Sequence, residues 1–273
     1  MASIDLYRAA RDVATSAAHR AARLIRHHAG RLALDEIQEK GTHDLVTRID
    51  GQAQHLILDT IHAAFPDHAV LAEEDGRSDG PPGPYDGFRW IIDPIDGTTN
   101  FTHGLHPHAV SIALQEGDAI VVGVVLDVSH GDLFTAIRGQ GLYVNGTPAR
   151  VSQTAALRQG IIATGFPYRC WDHVDAYLAM LKNCIREAQS FRRLGSAAID
   201  LAYVACGKVD AYVQTGLSPW DVAAGLLLVR EGGGRVTDLH GAEHTGFEHP
   251  VVATNGRVHE AMLEVVAPLR AVL

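Results

Sequence analysis

The stretch Phe88-Arg89-Trp90-Ile91-Ile92-Asp93-Pro94-Ile95-Asp96-Gly97-Thr98-Thr99-Asn100 decides how the rest of the chain is read. Its first five residues are aromatic, β-branched or long, and predict a strand that delivers Asp93 at its C-terminal end. Pro94 holds Asp93 extended and fixes its own φ, which predicts a sharp turn that brings Asp93 and Asp96 to one side. Asp96 is a suitable helix N-cap, and Gly97-Thr98-Thr99 would then offer free N–H groups at the positive end of a short helix. Such an arrangement cradles an anion.

Working outward, residues 69–72 predict a second strand, running into Glu73-Glu74-Asp75, and Trp220-Asp221 opens a helix. Glu73, Asp93, Asp96 and Asp221 therefore stand where strands end or helices begin, and can converge on one rim. Like charges brought within a few ångströms repel, so the cluster requires cations or protons. Hard oxygen ligands select Mg²⁺ or Mn²⁺ over zinc, and Mg²⁺ fills its octahedron with waters and substrate phosphate. Thr98 could orient a water beside such ions.

Helical spacing covers residues 4–28, with Gly30 as the stop, and residues 50–65, ended by Pro66-Asp67. Residues 76–87 form a Gly- and Pro-rich loop. Strands at 109–114, 120–126, 133–138 and 142–144 read as a meander, with Gly139-Gln140-Gly141 as a hairpin turn. Beyond Ala149 the pattern turns α/β: a strand at 161–163, helices at 174–187 and 196–205, and Gly232-Gly233-Gly234 as a helix-to-strand connection. No Ser/Gly linker or internal repeat divides the chain. One unit of 1–273 is expected, with an α+β half to about 148 and an α/β half from about 149.

Composition fits that expectation. The 273 residues are 47% hydrophobic and 20% charged, which is ordinary globular usage. A net charge of −9 with no Lys/Arg run argues against nucleic acid or an anionic membrane as the main partner. Three cysteines, Cys170, Cys184 and Cys206, form no C-x-x-C pair, and no 18-residue apolar run occurs, so a cytoplasmic protein is expected.

The chain resembles the inositol monophosphatase family of the lithium-sensitive, magnesium-dependent phosphatase superfamily. Lys40-Gly41, Asp44-Leu45-Val46-Thr47 with Asp50, Glu73-Glu74, residues 93–101, Gly195-Ser196-Ala197-Ala198 and Trp220-Asp221-Val222-Ala223-Ala224-Gly225 carry the likeness in order and spacing. The resemblance implies a layered αβαβα sandwich, a homodimer, and hydrolysis of a small phosphate monoester, inositol 1-phosphate first among candidates. It also implies two or three Mg²⁺ ions. One would lie on Glu73, Asp93 and the Ile95 carbonyl, another on Asp93, Asp96 and Asp221, and a third, weaker one would lean on Glu73. Glu73 and Thr98 would position the attacking water, with Asp50 behind Thr98 and no covalent intermediate. Asp96, Gly97, Thr98, Gly195 and Ala197 would meet phosphate or substrate, and a mobile loop at Lys40-Gly41 would help close the site.

The chain departs from that pattern at Gln214, where members acting on inositol phosphates carry a Glu that meets substrate hydroxyls. An amide donates as well as accepts. Histidinol phosphate, fructose 1,6-bisphosphate and 3′-phosphonucleotides stay open as substrates, and an interaction role on a phosphatase scaffold stays open as another class. Gln54 replaces a common Glu and reads as structural, on a helix face away from the ligands. The His103-Gly104-Leu105-His106-Pro107-His108 turn lacks metal-ligand spacing. Arg192-Arg193 could meet phosphate, a partner subunit or solvent.

Overall fold

The computed structural model describes residues 3–41, 44–74, 83–166, 171–247 and 250–273. In chain order the elements are α1 (Ile4–His28), β1 (Ile37–Gly41), β2 (Asp44–Thr47), α2 (Arg48–Ala64), β3 (Ala69–Ala72), β4 (Tyr85–Asp96), α3 (Thr98–Thr102), β5 (Ala109–Gly117), β6 (Ala119–Asp127), β7 (Leu133–Ile137), β8 (Leu142–Val144) and β9 (Thr147–Ala149). There follow β10 (Ile161–Thr164), α4 (Val174–Glu187), β11 (Ser190–Arg192), α5 (Ala197–Ala205), β12 (Ala211–Gln214), α6 (Pro219–Glu231), β13 (Arg235–Thr237), β14 (Val251–Thr254), α7 (His259–Val265) and α8 (Ala267–Arg270).

Two larger sheets organise these elements. The first has seven strands in the order β3-β4-β5-β6-β7-β8-β9, the second five in the order β11-β10-β12-β14-β13. The alanine stripe of α1 (Ala10, Ala14, Ala17, Ala21) recurs at helical spacing and is fully buried, so α1 and α2 lie close over one face of the first sheet, against Trp90, Ile92 and Val124. Helices α5 and α6 fill the space between the sheets. Leu201, Leu226 and Leu228 share one core with Val125 and Phe134 on one side and Tyr212 and Val251 on the other. On the outer face of the second sheet, Tyr177, Met180 and Leu269 cover Ile162, Val213 and Val252. The five layers are the expected αβαβα sandwich.

Two local expectations are corrected. Helix α2 begins at Arg48 and not at Asp50: Thr47 accepts from the Ile49 N–H at 3.1 Å while Asp50 reaches back to the Thr47 N–H at 2.9 Å, a reciprocal cap. Strand β4 begins at Tyr85 and does not turn sharply after Asp93. Asp93 stands opposite Ser111 and Asp96 opposite Ala109, three steps on β4 against two on β5. This is a β-bulge, and Pro94 sits inside it, where a missing N–H costs the ladder little. The bulge, more than a turn, re-aims the two carboxylates. Gly139-Gln140-Gly141 does join β7 to β8, and Gly232-Gly233-Gly234 does join α6 to β13.

Candidate active site

The ends of β3 and β4 and the starts of α3, α5 and α6 line one cavity of about 190 Å³. Carboxylate oxygens of Asp93, Asp96 and Asp221 lie there within 4.8 Å of one another. Each is held by its own backbone setting. Asp93 accepts from the Ile95 N–H across the bulge at 2.9 Å. Asp221 sits in the first turn of α6 behind Pro219, and one of its oxygens accepts from the Ser218 N–H at 2.6 Å.

Asp96 behaves differently from the sequence expectation. The N-cap of α3 is Gly97, at φ +93°, with no side-chain cap. Asp96 instead reaches across to the second half of the chain, accepting from Ser196 Oγ at 2.5 Å and the Ala198 N–H at 2.7 Å. It therefore satisfies the first turn of α5, a helix a hundred residues away in sequence. Gly97 is required at this crossing, because a Cβ there would lie 2.9 Å from the Gly195 carbonyl and the left-handed backbone disfavours side chains. Asn100 ties the same junction, donating to the carbonyls of Pro107 at 2.7 Å and Leu194 at 2.8 Å.

The electrostatics follow from the crowding. Burial first, and then Glu73, Asp96 and Asp221, push the Asp93 carboxyl well above the ordinary carboxylate range. Burial likewise pushes Asp96 up to about 6, against the hydrogen bonds from Ser196 and Ala198. Three hard carboxylates this close, two of them buried and pushed toward protonation, form a donor set that fits a divalent, oxygen-preferring cation. Among the described residues no other such group exists, so the rings of His106, His108 and His130, though near one another, are not one.

Behind the cluster, Thr98 Oγ1 lies 3.2 Å from Asp50 Oδ1 and 3.0 Å from the Ile95 carbonyl, while the other oxygen of Asp50 accepts from Thr47 Oγ1 at 2.6 Å. Burial raises Asp50 to about 6. Glu73 lines the cavity and adds its charge to Asp93, but stands outside the three-carboxylate group. Its position depends on Gln54. The fully buried Gln54 amide clasps the Glu74 backbone from both sides, donating to its carbonyl at 2.7 Å and accepting from its N–H at 2.9 Å. The structural reading of Gln54 stands, yet its face is not remote from the acidic residues: it holds the segment that carries one of them.

Gly195, Ala197 and Gln214 line the cavity, as do Gly165 and Arg193. Gly165 gave no signal in the sequence. A Cβ there would fall 1.9 Å from Gln214 Oε1, so any larger residue would have to displace the amide from its present place. Arg193 lies over the Phe166 ring, whereas Arg192 is exposed and bonds to Ser190 and Phe191. Residues 42–43, Asp75 and Cys170, together with the side chains of Lys40, Gly41 and Asp44, lie outside the described residues.

Fold and site together define a layered αβαβα protein with a buried carboxylate cluster that fits a divalent cation, and comparison with known proteins names the group. The inositol monophosphatase family profile matches residues 7–271. The Nus factor SuhB of Escherichia coli is 42% identical over 252 residues, 92% of this chain and 93% of that protein. An inositol-1-monophosphatase of Mesorhizobium japonicum is 40% identical over 261 residues, covering 95% of this chain and 97% of that protein. The solved Thermotoga maritima IMPase superposes with a TM-score of 0.87 at 35% identity, covering 95% of this chain and 97% of its own. The chain belongs to the inositol monophosphatase family and is a phosphoric monoester hydrolase.

Proposed function

We propose that this enzyme hydrolyses the phosphate ester of a small polyol, inositol 1-phosphate before others, in a magnesium-dependent reaction with water. The observation that carries the reading is the convergence of Asp93, Asp96 and Asp221 from a strand bulge and a distant helix start. Glu73, Asp93 and the Ile95 carbonyl would hold one Mg²⁺, Asp93, Asp96 and Asp221 a second, with a weaker third on Glu73. When bound, the ions acidify water and neutralise charge on the departing alkoxide.

The chain's own residues supply position. Asp50 fixes the Thr98 hydroxyl, which with Glu73 orients the attacking water. The N–H groups of Gly97 and Thr98, beside Gly195 and Ala197, receive phosphate oxygens, and Gln214 faces the alcohol. Water adds to phosphorus as the ester oxygen leaves and takes up a proton, giving alcohol and inorganic phosphate. The family likeness supports a homodimer, which light scattering would test. Among the described residues no helix is long and apolar enough to cross a membrane.

A panel of inositol 1-phosphate, histidinol phosphate, fructose 1,6-bisphosphate and a 3′-phosphonucleotide, assayed for phosphate release with Mg²⁺, tests the substrate. Asp93→Asn and Asp221→Asn are expected to lose at least about a hundredfold in kcat with circular dichroism unchanged. Near-native turnover in either would refute the ligand assignment. The Escherichia coli relative's designation as a Nus factor supports a second, interaction role on the same scaffold. Such a role would survive Asp93→Asn.

A further inference from the structure

Among the three clustered carboxylates, Asp96 takes its anchor from the far half of the chain. Asp93 is held by the N–H of Ile95 and Asp221 by that of Ser218, two and three residues away. The donors to Asp96 come from the start of α5: Ser196 Oγ at 2.5 Å and the Ala198 N–H at 2.7 Å, both on Oδ2. A carboxylate turns easily about its Cβ–Cγ bond, because no set of staggered wells holds that torsion. Two donors on one oxygen stop the rotation, and so fix where the whole group points.

The Ser196 hydroxyl has little freedom of its own. As the N-cap of α5, its oxygen accepts from the Ile199 N–H at 3.4 Å, so its single proton goes to Asp96. Ser196 is 2% exposed, which keeps bulk water from competing for that bond. The backbone leading to it is clamped against the segment after β4. Asn100 donates to the Leu194 carbonyl at 2.8 Å, and a Cβ on Gly97 would lie 2.9 Å from the Gly195 carbonyl. Ser196 therefore meets Asp96 in one place.

We propose that Ser196 is a positioning residue for the cation: its hydroxyl holds the Asp96 carboxylate in the orientation a divalent ion takes, and so sets the affinity of the ion on Asp93, Asp96 and Asp221. This rests on the metal reading above and adds to it a residue that acts through Asp96. Removing a hydrogen-bond partner from behind a metal ligand weakens metal binding by about 10- to 100-fold.

The test is Mn²⁺ binding, followed by the EPR signal of the free ion, in the wild type, Ser196→Gly, Ser196→Ala, Ser196→Thr and Leu201→Ala. Glycine keeps a tolerable N-cap while removing the hydroxyl. In Ser196→Gly and Ser196→Ala at least one Mn²⁺ site should weaken about 10- to 100-fold, whereas Ser196→Thr, which keeps the hydroxyl, should stay within about threefold. Leu201 is fully buried on α5 between the sheets, so its truncation strains the seating of the helix and leaves the Asp96 bonds in place. Its dissociation constants should stay within about threefold of wild type. Poor folding lowers the number of ions bound per chain and not the dissociation constant of the chains that fold, so a damaged variant still reports. Unchanged affinity in Ser196→Gly and Ser196→Ala would show that the Ala198 N–H holds Asp96 unaided and would overturn the proposal. So would equal weakening in Leu201→Ala, or a loss in Ser196→Thr as large as in Ser196→Ala. A wild type that binds no Mn²⁺ would end the metal reading and this inference together. Mn²⁺ binding without turnover of any ester would end the phosphatase reading, and the dissociation constants would still decide for or against Ser196.

Discussion

At the residue scale, the site rests on hydroxyls and carboxylates whose roles are set by what faces them. Thr98 has one proton and two acceptors near it, Asp50 Oδ1 and the Ile95 carbonyl. Asp50→Asn must keep its oxygen toward the two Thr47 donors, and so turns an NH₂ toward Thr98. The hydroxyl would then present its lone pair to that NH₂ and its proton to the Ile95 carbonyl. If Thr98 positions the attacking water, kcat should fall about a hundredfold with KM little changed. Steady-state kinetics on the best ester of the panel checks this, and an unchanged kcat would remove Thr98 from the water-positioning pair. The residue types of this site were legible in the sequence, because Asp-Pro-x-Asp-Gly-Thr at a strand end has few other uses. Gly165 was not, since a glycine's reason for being there is the Gln214 side chain that would otherwise strike it.

At the scale of elements, segments are held in place by bonds that no local pattern announces. Gln54 on α2 satisfies both backbone groups of Glu74, twenty residues on. Gln54→Ala would leave a buried N–H and a buried carbonyl unpaired, at a cost of about 2–4 kcal/mol, and would loosen Glu73. Chemical denaturation should show that loss, and kcat should drop more than KM rises. A stability change below about 0.5 kcal/mol would mean that water replaces the amide. Long elements were readable from periodicity: α4 spans Val174–Glu187, as its spacing predicts. The strands β11 to β14 have three or four residues each, and β14 is buried along its whole length, so no alternation marks it. The bulge in β4 is not legible in the sequence, because a proline between two aspartates looks the same in a bulge and in a turn until the partner strand is known.

On the scale of the whole molecule, buried acids link folding to pH and to metal. Without metal, Asp50 and Asp96 titrate near 6 in the folded chain, against about 4 when unfolded. The folded state therefore binds more protons between those values, and stability falls as pH rises from about 4 through 6, by about 3 kcal/mol for each such group. His259 acts the other way. Held neutral between Thr237 and Thr254, with burial lowering it to about 4, it costs stability as pH falls from 6.5 toward 4. Since Mg²⁺ takes ionised carboxylates, it should raise the melting temperature far more at pH 8 than at pH 5. Thermal melts in EDTA and in Mg²⁺ at both values decide this, and a larger shift at pH 5 would contradict it. We further expect residues 1–273 to unfold in one transition, since a single core joins both sheets through α5 and α6. The bond from Asp96 to the first turn of α5 gives that unity a practical meaning. A chain that has formed its seven-stranded sheet but not yet seated α5 has no fixed place for Asp96, and so no complete cage. With Mg²⁺ in that cage as proposed, ion content would count finished molecules, and a preparation's Mg²⁺ stoichiometry would assay how much of it has folded to the end.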